Sequence, residues 1–223
     1  MTFSIVARSD DARMFGIAIA SASPAVAAHC SHARAGIGAV ATQNITDPIL
    51  GPRMLDGLRC GASAAEAIAG VLDSTDHGAY RQLLAIGPVG APAHHCGAHA
   101  SRFSASAAGQ HAMAAGSALA NRQVPAAMIA AFEASGGHFA DRLLAGLQAG
   151  AAAGGAPTAL HSSGLLVVRE VPWPIIDLRV DWSDADPIAA LSLLWQLYAP
   201  QVEEFVRTAL QPDQAAATGV PGS

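Results

Sequence analysis

Alternation of apolar and small or polar residues opens the chain and predicts a β-hairpin. Residues 3–7 alternate, the polar run R-S-D-D-A-R follows, and residues 14–21 read as a second extended segment. Period-two alternation is typical of a strand, and a short polar connection between two such runs favours a hairpin. A third strand-like run, G-I-G-A-V-A-T-Q-N, ends on Gln43 and Asn44.

Helix-start signals appear after this third run. Asp47 followed by Pro48 predicts a helix cap with proline in the first turn. Ser63 and Glu66 have capping-box spacing in front of an apolar run, which predicts a second helix.

The order of the remaining elements indicates the α+β class. Short strand-like segments fill residues 81–113, two amphipathic helices closed by glycine follow, and strands return in S-S-G-L-L-V-V-R-E and I-I-D-L-R-V-D-W. A last long helix is predicted from Asp186 to about Leu210. Antiparallel hairpins with helices in blocks are typical of α+β folds. We expect one domain over residues 1–210 and a disordered, small-residue tail over 211–223.

Composition limits the partners. The net charge is -5 and no basic cluster is present, so no nucleic-acid partner is expected. No apolar run of about eighteen residues lacks charge, proline or glycine, so no membrane span is expected. The odd number of widely spaced cysteines suits reduced thiols in the cytoplasm. They are Cys30, Cys60 and Cys96.

Lysine is absent, because all 12 basic residues are arginine. No mechanism in this protein can therefore use a lysine amine as a base or to form a Schiff base. The bases that remain include the histidines and the amine at the start of the chain.

Thr2 is a candidate nucleophile. Methionine aminopeptidase removes Met1 when the second residue is small, and threonine qualifies. A chain that begins at Thr2 has a hydroxyl beside an α-amine, and an ordinary α-amine has a pKa of about 7.7–8.0, suited to a base near neutral pH. The alternative is that Thr2 is an ordinary strand residue, which its position alone favours.

Polar residues at the ends of the next strands would gather around Thr2 if the three strands are neighbours. Ser21 and Ser23 end the second strand, and Gln43 and Asn44 end the third. Hydroxyl and amide donors of this kind stabilise an oxyanion or orient a substrate. The alternative is that they form turns and caps at the strand ends.

The segment H-H-C-G-A-H offers a metal alternative through His94, His95, Cys96 and His99. Adjacent histidines on a strand point to opposite faces, however, and no zinc-finger or zincin spacing is present. Neither a metal nor another cofactor is expected.

A late strand carries Asp177, Arg179 and Asp181 on one face at period two. Such a face is usually a surface ion-pair ladder. An arginine held by carboxylates also binds anionic substrates, so Arg179 is a binding candidate.

Several of these segments together resemble an uncharacterised bacterial family, domain-of-unknown-function family 1028. They are M-T-F-S-I-V-A-R, G-I-A-I-A-S-A-S-P-A-V, residues 33–58, H-S-S-G-L-L-V-V-R-E and D-L-R-V-D-W. That family is regarded as having an N-terminal-nucleophile (Ntn) hydrolase-like fold. The resemblance implies a four-layer αββα sandwich, as in proteasome subunits and penicillin acylases, and implies that Thr2 is the nucleophile.

Departures from the family pattern add pocket residues. The family's A-G-N-x-L segment reads A-G-S-A-L here, which places Ser117 where an amide is usual, and its Q-S step reads His161-Ser162. Many members carry lysine or arginine where this chain has A-S-P around Ser23. The resemblance therefore implies a smaller or differently polar pocket. The expected substrate-binding residues are Ser23, Ser117, His161 and Ser162, together with Arg179 from the strand face described above.

The sequence thus predicts a cytoplasmic Ntn-type amidohydrolase for a small amide or cyclic amide. Thr2, Ser21, Gln43 and Asn44 are its expected catalytic residues, and a homo-oligomer is expected. Two alternatives stay open: a non-catalytic binding or scaffold protein on the same fold, and a metallohydrolase that uses the histidine cluster.

Overall fold

Two antiparallel sheets form the centre of the structure, a computed structural model that describes residues 1–101, 103–155 and 158–214. The strands of the larger sheet, sheet A, are β1 (Thr2–Arg8), β2 (Phe15–Ser21), β7 (Ala105–Ala108), β8 (Ala112–Ser117), β9 (Ser162–Val168) and β10 (Ile176–Val180). Their order across the sheet is β10-β9-β2-β1-β8-β7. Sheet B consists of β3 (Ser31–Arg34), β4 (Gly38–Gln43), β5 (Gln82–Ile86) and β6 (Ala93–Cys96), in that order.

Helices pack on these sheets. They are α1 (Val26–Cys30), α2 (Leu50–Arg59), α3 (Ala64–Asp73), α4 (Val124–Ala134), α5 (Phe139–Ala152), α6 (Pro187–Tyr198) and α7 (Val202–Leu210). In the part of the chain that the structure describes, no helix combines the length and the apolar character needed to cross a membrane.

Three groups of buried apolar side chains hold these elements together. One lies between sheet A and α4 to α7, and it contains Phe3 and Ile5. A second lies between the two sheets and contains Val6. A third lies between sheet B and helices α2 and α3. Because side chains alternate along a strand, Thr2 and Ser4 share the face of Val6 and point toward sheet B.

The predicted hairpin is confirmed, since β1 pairs with β2 along its whole length. The predicted third strand exists as β4, but it lies in sheet B and faces the hairpin across the core. Between β2 and β4 the chain leaves sheet A at Ala25, whose φ of 51° is left-handed, and forms α1 and β3. Neither α1 nor β3 was predicted.

Two helix predictions need correction. Helix α2 begins at Leu50, and the Asp47 carboxylate instead accepts a hydrogen bond from the Ile49 N–H at 3.3 Å in the preceding turn. The last helix is two helices, because Pro200 has no N–H for a helical hydrogen bond and a 3₁₀ turn at Ala199–Gln201 separates α6 from α7. The capping box of Ser63 and Glu66 is confirmed at α3.

The tail expected to be disordered begins at residue 211. Residues Pro212–Gln214 form a short 3₁₀ turn, which differs from that expectation. The rest of the tail, residues 215–223, lies outside the described residues.

Helix α5 begins at a histidine cap. Nδ1 of His138 accepts a hydrogen bond from the Ala140 N–H at 3.1 Å, and the Asp141 carboxylate accepts one from the His138 N–H at 3.2 Å. The ring also lies against Trp195, with centroids 5.0 Å apart. Burial lowers the pKa of His138, because the charged ring loses solvation. A protonated ring cannot accept at Nδ1, so this cap requires the neutral form.

We expect this cap to make stability depend on pH. The pKa of His138 lies below its ordinary value of 6.5, so the unfolded chain binds the proton more tightly. The contribution is complete above pH 6.5 and is lost as the pH falls through the folded-state pKa. His138→Ser keeps a capping oxygen that does not titrate. In urea titrations, the free energy of unfolding of this variant should therefore fall less than that of the wild type between about pH 8 and pH 5.

The control for this prediction is Ser63→Ala at the cap of α3. It removes a cap that does not titrate in this range, so it should cost about 1 kcal/mol at every pH tested. A constant difference between His138→Ser and the wild type across the same range would contradict the prediction.

Candidate active site at the start of strand β1

Three hydroxyl residues meet across neighbouring strands at the start of β1. Thr2 lies opposite Ser21 of β2 on one side and opposite Ser117 of β8 on the other. Thr2 Oγ1 is 2.9 Å from Ser21 Oγ, which donates to the Met1 carbonyl oxygen at 2.8 Å. Ser21 has one hydroxyl hydrogen, so the hydrogen between the two hydroxyls comes from Thr2. Ser21 is fully buried, whereas Thr2 is half-buried.

Met1 takes two hydrogen bonds at this position. Its carbonyl oxygen accepts from the Ala22 N–H at 3.2 Å in addition to the Ser21 hydroxyl. While Met1 is present, the nitrogen of Thr2 belongs to a peptide bond and cannot act as a base. Removal of Met1 would expose the amine and leave both donors without this acceptor.

A buried amide network joins the two sheets below this hydroxyl pair. Ser4 donates to Gln43 Oε1 at 2.9 Å. Gln43 Nε2 donates to Gln82 Oε1 at 2.7 Å and to the Ala115 carbonyl at 3.3 Å. Gln82 Nε2 in turn donates to the Gly116 carbonyl at 3.2 Å. The three side chains are buried, so the network fixes β4 and β5 against β8 and β1.

Gln43 therefore has a different position from the one expected. Both of its amide hydrogens are donated inside the network, so neither is available to an oxyanion. Sequence reasoning missed Ser4 and Gln82. The one available signal was a glutamine at the start of the apolar run R-Q-L-L-A-I-G.

Asn44 begins a strained turn after β4. Its φ is 55° and that of Ile45 is 37°, both left-handed. Asparagine tolerates this region, but a β-branched residue rarely adopts it. Asn44 Nδ2 donates to the Tyr80 carbonyl at 2.6 Å, and the Arg81 guanidinium donates to the Ile45 carbonyl. These bonds hold the turn against the start of β5.

Ser162 and Ser23 lie beside Ser21 but bind to each other. Ser162 is opposite Ser21 in the sheet, and its hydroxyl donates to the Ser23 carbonyl at 2.6 Å. The Ser162 hydroxyl oxygen also accepts a hydrogen bond from the Val26 N–H at 3.3 Å. Ser162 thus fixes the start of α1, while Ser23 is exposed.

His161 contacts residues that follow β10. Its backbone N–H donates to the Ser21 carbonyl at 2.8 Å. Its Nδ1 lies 2.9 Å from the Ser183 carbonyl, and its ring stacks on Trp182 with centroids 4.2 Å apart. The ring is thus held by Ser183 and Trp182.

Arg179 lies outside this group. It is exposed on the edge strand β10, where Asp177 binds it through two hydrogen bonds of 2.8 Å. Strand β10 is three strands from β1, which corresponds to about 14 Å. This is the surface ion pair that the sequence left open as the alternative to a binding role.

The histidine cluster does not converge on one point. His94 and His95 alternate along β6, and His95 Nε2 lies 3.0 Å from the Gly78 carbonyl. The ring of His99 instead packs edge-on against Tyr80, with centroids 4.7 Å apart. Across residues 1–101, 103–155 and 158–214, no group of three or more histidine, cysteine, aspartate or glutamate side chains is placed to hold a metal ion.

Comparison with known families identifies the family of the chain, and that family has no known function. The model of a family of unknown function, DUF1028, matches residues 2–191. The chain belongs to the DUF1028 family. This confirms the resemblance that the strand and turn segments indicated.

The DUF1028 chain also matches a solved structure. The crystal structure of protein SPO2555 from Silicibacter pomeroyi, of the same family, is 31% identical, with a TM-score of 0.82 over 89% of each chain. No curated protein matches the sequence.

We expect the amide network to contribute strongly to the stability of this DUF1028 protein. Gln82→Leu would leave a hydrogen of Gln43 unpaired in a buried site, at about 1–3 kcal/mol, and would remove the hydrogen bond to the Gly116 carbonyl, at about 1 kcal/mol. Urea denaturation should show a loss of about 2–4 kcal/mol in the free energy of unfolding.

A matched control is Gln123→Leu, which replaces an exposed glutamine just before α4 that makes no side-chain cap bond. It should change the free energy of unfolding by no more than about 0.5 kcal/mol. Equal losses in the two variants would show that the network has no special role in stability.

Proposed function

We propose that this DUF1028 protein is an Ntn-type hydrolase that cleaves the C–N bond of a small amide or cyclic amide. The observation that carries the proposal is the position of the Thr2 hydroxyl. It lies at the first residue of β1, points toward sheet B and is hydrogen-bonded to Ser21. Removal of one residue, Met1, would place a base on the same residue as the nucleophile.

The arrangement of helices supports the Ntn fold as part of this proposal. Helices α4 and α5 pack on one side of sheet A, and α2 and α3 pack on the side of sheet B that faces away from sheet A. An apolar group lies between the sheets. A four-layer αββα sandwich has this order of layers.

The first chemical step uses groups at the start of β1. The free amine of Thr2 accepts the hydroxyl proton, directly or through a water molecule, as Oγ1 attacks the amide carbon. The Ala22 N–H and the Ser21 hydroxyl, which bind the Met1 carbonyl here, become donors for the substrate oxyanion. Asn44 Nδ2 has a second hydrogen for the same purpose, whereas Gln43 positions β4.

The second step releases the products. The protonated amine donates its proton to the leaving nitrogen as the C–N bond breaks, which leaves an ester on Thr2. Water then attacks the ester carbon, with the amine again as the base. The bond between this carbon and Oγ1 breaks, the amine returns the proton to Oγ1, and the carboxylic acid leaves. The cycle requires no lysine and no metal.

A binding protein on the same fold is the second candidate, and one observation favours it. The Met1 side chain packs against the apolar group of sheet A, and its carbonyl oxygen has two donors. A chain that keeps Met1 in this position has no free amine at Thr2 and would bind without reacting.

We propose a reducing compartment such as the cytoplasm for this protein. All three cysteines are free thiols, and Cys60 and Cys96 are exposed. Exposed, unpaired thiols persist where the surroundings are reducing. Cys30 is buried beside Thr46, and burial raises the pKa of its thiol, which makes it a poor nucleophile.

We expect the mature protein to lack Met1 and to be acylated at Thr2 by an electrophilic β-lactone. Intact-mass measurement should show the loss of one methionine, and peptide mapping should place the adduct on Thr2. Thr2→Ala should abolish labelling, whereas Thr2→Ser should retain it. Ser21→Ala removes the hydroxyl that contacts Oγ1 and should slow labelling about 10²-fold.

The control for labelling is Thr208→Ala, since Thr208 lies on α7, far along the chain from the site, and its hydroxyl donates to Glu204. This variant should label at the wild-type rate. If purified protein retains Met1 quantitatively, the free-amine mechanism is overturned and the binding-protein candidate is favoured.

We further propose that two copies associate through α6 and α7. Leu193, Leu194, Leu197 and Phe205 are 57%, 37%, 61% and 53% exposed, and Phe205 stacks on Tyr198 at 5.6 Å, which joins the two helices. Together they form an apolar patch of a few hundred Å², the size that marks interaction sites.

A second copy fits this patch better than a charged partner does. Helix α6 contains no charged residue, so two copies can meet there despite a net charge of -5. At the border, Glu204 and Arg207 form an ion pair at 2.6 Å and supply both signs of charge. A two-fold axis can bring each of these residues against its opposite in the other copy. A standard interface takes about 800 Å² from each partner, so this border must contribute the remainder.

We expect the wild-type protein to be a dimer by light scattering after size exclusion. The double variant Leu193→Glu, Leu197→Glu should be a monomer, because four carboxylates would be buried in the interface. Val89→Glu, at an apolar residue that is 78% exposed, should remain a dimer. A monomeric wild type, or a dimer that forms only when residues 215–223 are removed, would contradict this interface.

A further inference from the structure

The turn at Asn44 and Ile45 lies opposite Thr2 across the space between the sheets. Moving along β1 from Ser4 to Arg8, the contacts in sheet B move from Gln43 to the Gly87 carbonyl, which Arg8 reaches at 2.9 Å. Gly87 follows Ile86, which pairs with Ala39 at the other end of β4 from Gln43. Strands β1 and β4 therefore run in opposite directions. In the reverse direction, the two residues from Ser4 to Thr2 cover about 7 Å. Thr2 therefore lies beyond the position of Gln43, on the side where the Asn44 turn begins.

A cavity of about 290 Å³ lies at this turn. It is lined by Ile45, His77, Tyr80 and Arg81. It opens to solvent, and its volume exceeds that of an enclosed apolar cavity of about 150 Å³ that binds benzene. A substituted six-membered ring or a branched alkyl group therefore has room in it.

The backbone of the turn keeps an apolar side chain at this cavity. Ile45 has a φ of 37° and its side chain is 67% exposed, which is costly for a β-branched, apolar residue. Strain of this kind persists only where surrounding contacts determine the conformation, and it concentrates at binding sites. The contacts here are the bond from Asn44 to the Tyr80 carbonyl and the bond from Arg81 to the Ile45 carbonyl.

The opposite wall is a fixed aromatic ring. Tyr80 is 42% exposed, and its ring is held edge-on by His99 at 4.7 Å and by His77 at 6.4 Å. The guanidinium of Arg81 is bound to the Ile45 carbonyl and lies 3.8 Å from Asp47, so its charge is already accompanied by an acidic group. The surfaces offered to a ligand are thus the aliphatic chain of Ile45 and the ring of Tyr80.

We infer that this cavity, the Ile45–Tyr80 cavity, binds an apolar ring or branched alkyl group of the amide substrate while Thr2 attacks the carbonyl. The inference rests on the proposed function and adds the substrate class: an amide with an apolar side group. It also assigns specificity to Ile45 and Tyr80, which the sequence did not single out.

The test compares two β-lactones that share one reactive ring and differ in a phenyl or a methyl substituent. The rate of acylation at Thr2, followed by intact mass, should be about 10-fold higher for the phenyl lactone. Tyr80→Ala and Ile45→Gly should each bring the ratio of the phenyl rate to the methyl rate close to one. Ile45→Gly keeps the fold, because glycine adopts a left-handed φ without strain.

The matched control is Trp173→Ala, an exposed aromatic residue in the connection between β9 and β10, at the other end of the sheet. It should leave both rates at their wild-type values. Equal rates for the two lactones in the wild type, or a difference that survives both cavity substitutions, would overturn the cavity assignment and leave Thr2 as the nucleophile.

A second measurement separates the cavity from the chemistry. Ligand-observed NMR with benzyl alcohol should show binding to the wild type and none to Tyr80→Ala. Binding without acylation of Thr2 by either lactone would overturn the proposed hydrolase while the cavity stands as an apolar binding site. Acylation without benzyl alcohol binding would overturn the cavity alone.

Discussion

The site depends on the amide hydrogen bonds that cross from sheet B to sheet A. Burial of apolar side chains between the sheets is favourable but has no direction, so by itself it leaves their relative position open. The bonds from Gln43 to Ala115 and from Gln82 to Gly116 do have direction, and they lie where no water competes with them. Their effect is to fix the end of β4 against the start of β1, and so to place the Asn44 turn opposite Thr2.

Backbone strain is concentrated around this fixed region. Ala25, Asn44, Ile45 and Ala118 have left-handed φ values, and they follow the ends of β2, β4 and β8, the strands that converge on Thr2. A further such residue, Ala12, lies in the turn between β1 and β2 at the other end of the sheet. Each of these positions costs energy in a residue other than glycine. The turns therefore redirect the chain at the edge of the site because the strands before them are firmly held.

The start of the chain is where structure and chemistry compete for the same groups. With Met1 present, the Ser21 hydroxyl and the Ala22 N–H complete the edge of the sheet by binding a carbonyl oxygen. In the proposed mechanism Met1 is absent, and the same donors bind the oxygen of the substrate carbonyl. The same arrangement of β1 and β2 is thus compatible with an inert strand end and with the proposed reaction centre. The presence or absence of Met1 distinguishes the two.

Local patterns in the sequence determined much of the fold. The alternation in residues 3–7, the capping box at Ser63 and the helices that end at glycines each depend on neighbours within a few positions, and the structure contains each of them. The position of Thr2 as the first residue of a strand was readable for the same reason. Pro200 was visible as well, but the apolar pattern on both sides of it hid the break between α6 and α7.

Only the tertiary structure decided what each strand face meets. Alternation shows that Thr2, Ser4 and Val6 share a face, but it contains no information about the sheet across the core. Three features follow from this placement. Strand β4 joins a different sheet from β1, and the Gln43 amide donates to Gln82 and to a distant carbonyl. Arg179 pairs with Asp177 at the edge of a sheet. These contacts join residues far apart in sequence, and each depends on three-dimensional positions that no local pattern encodes.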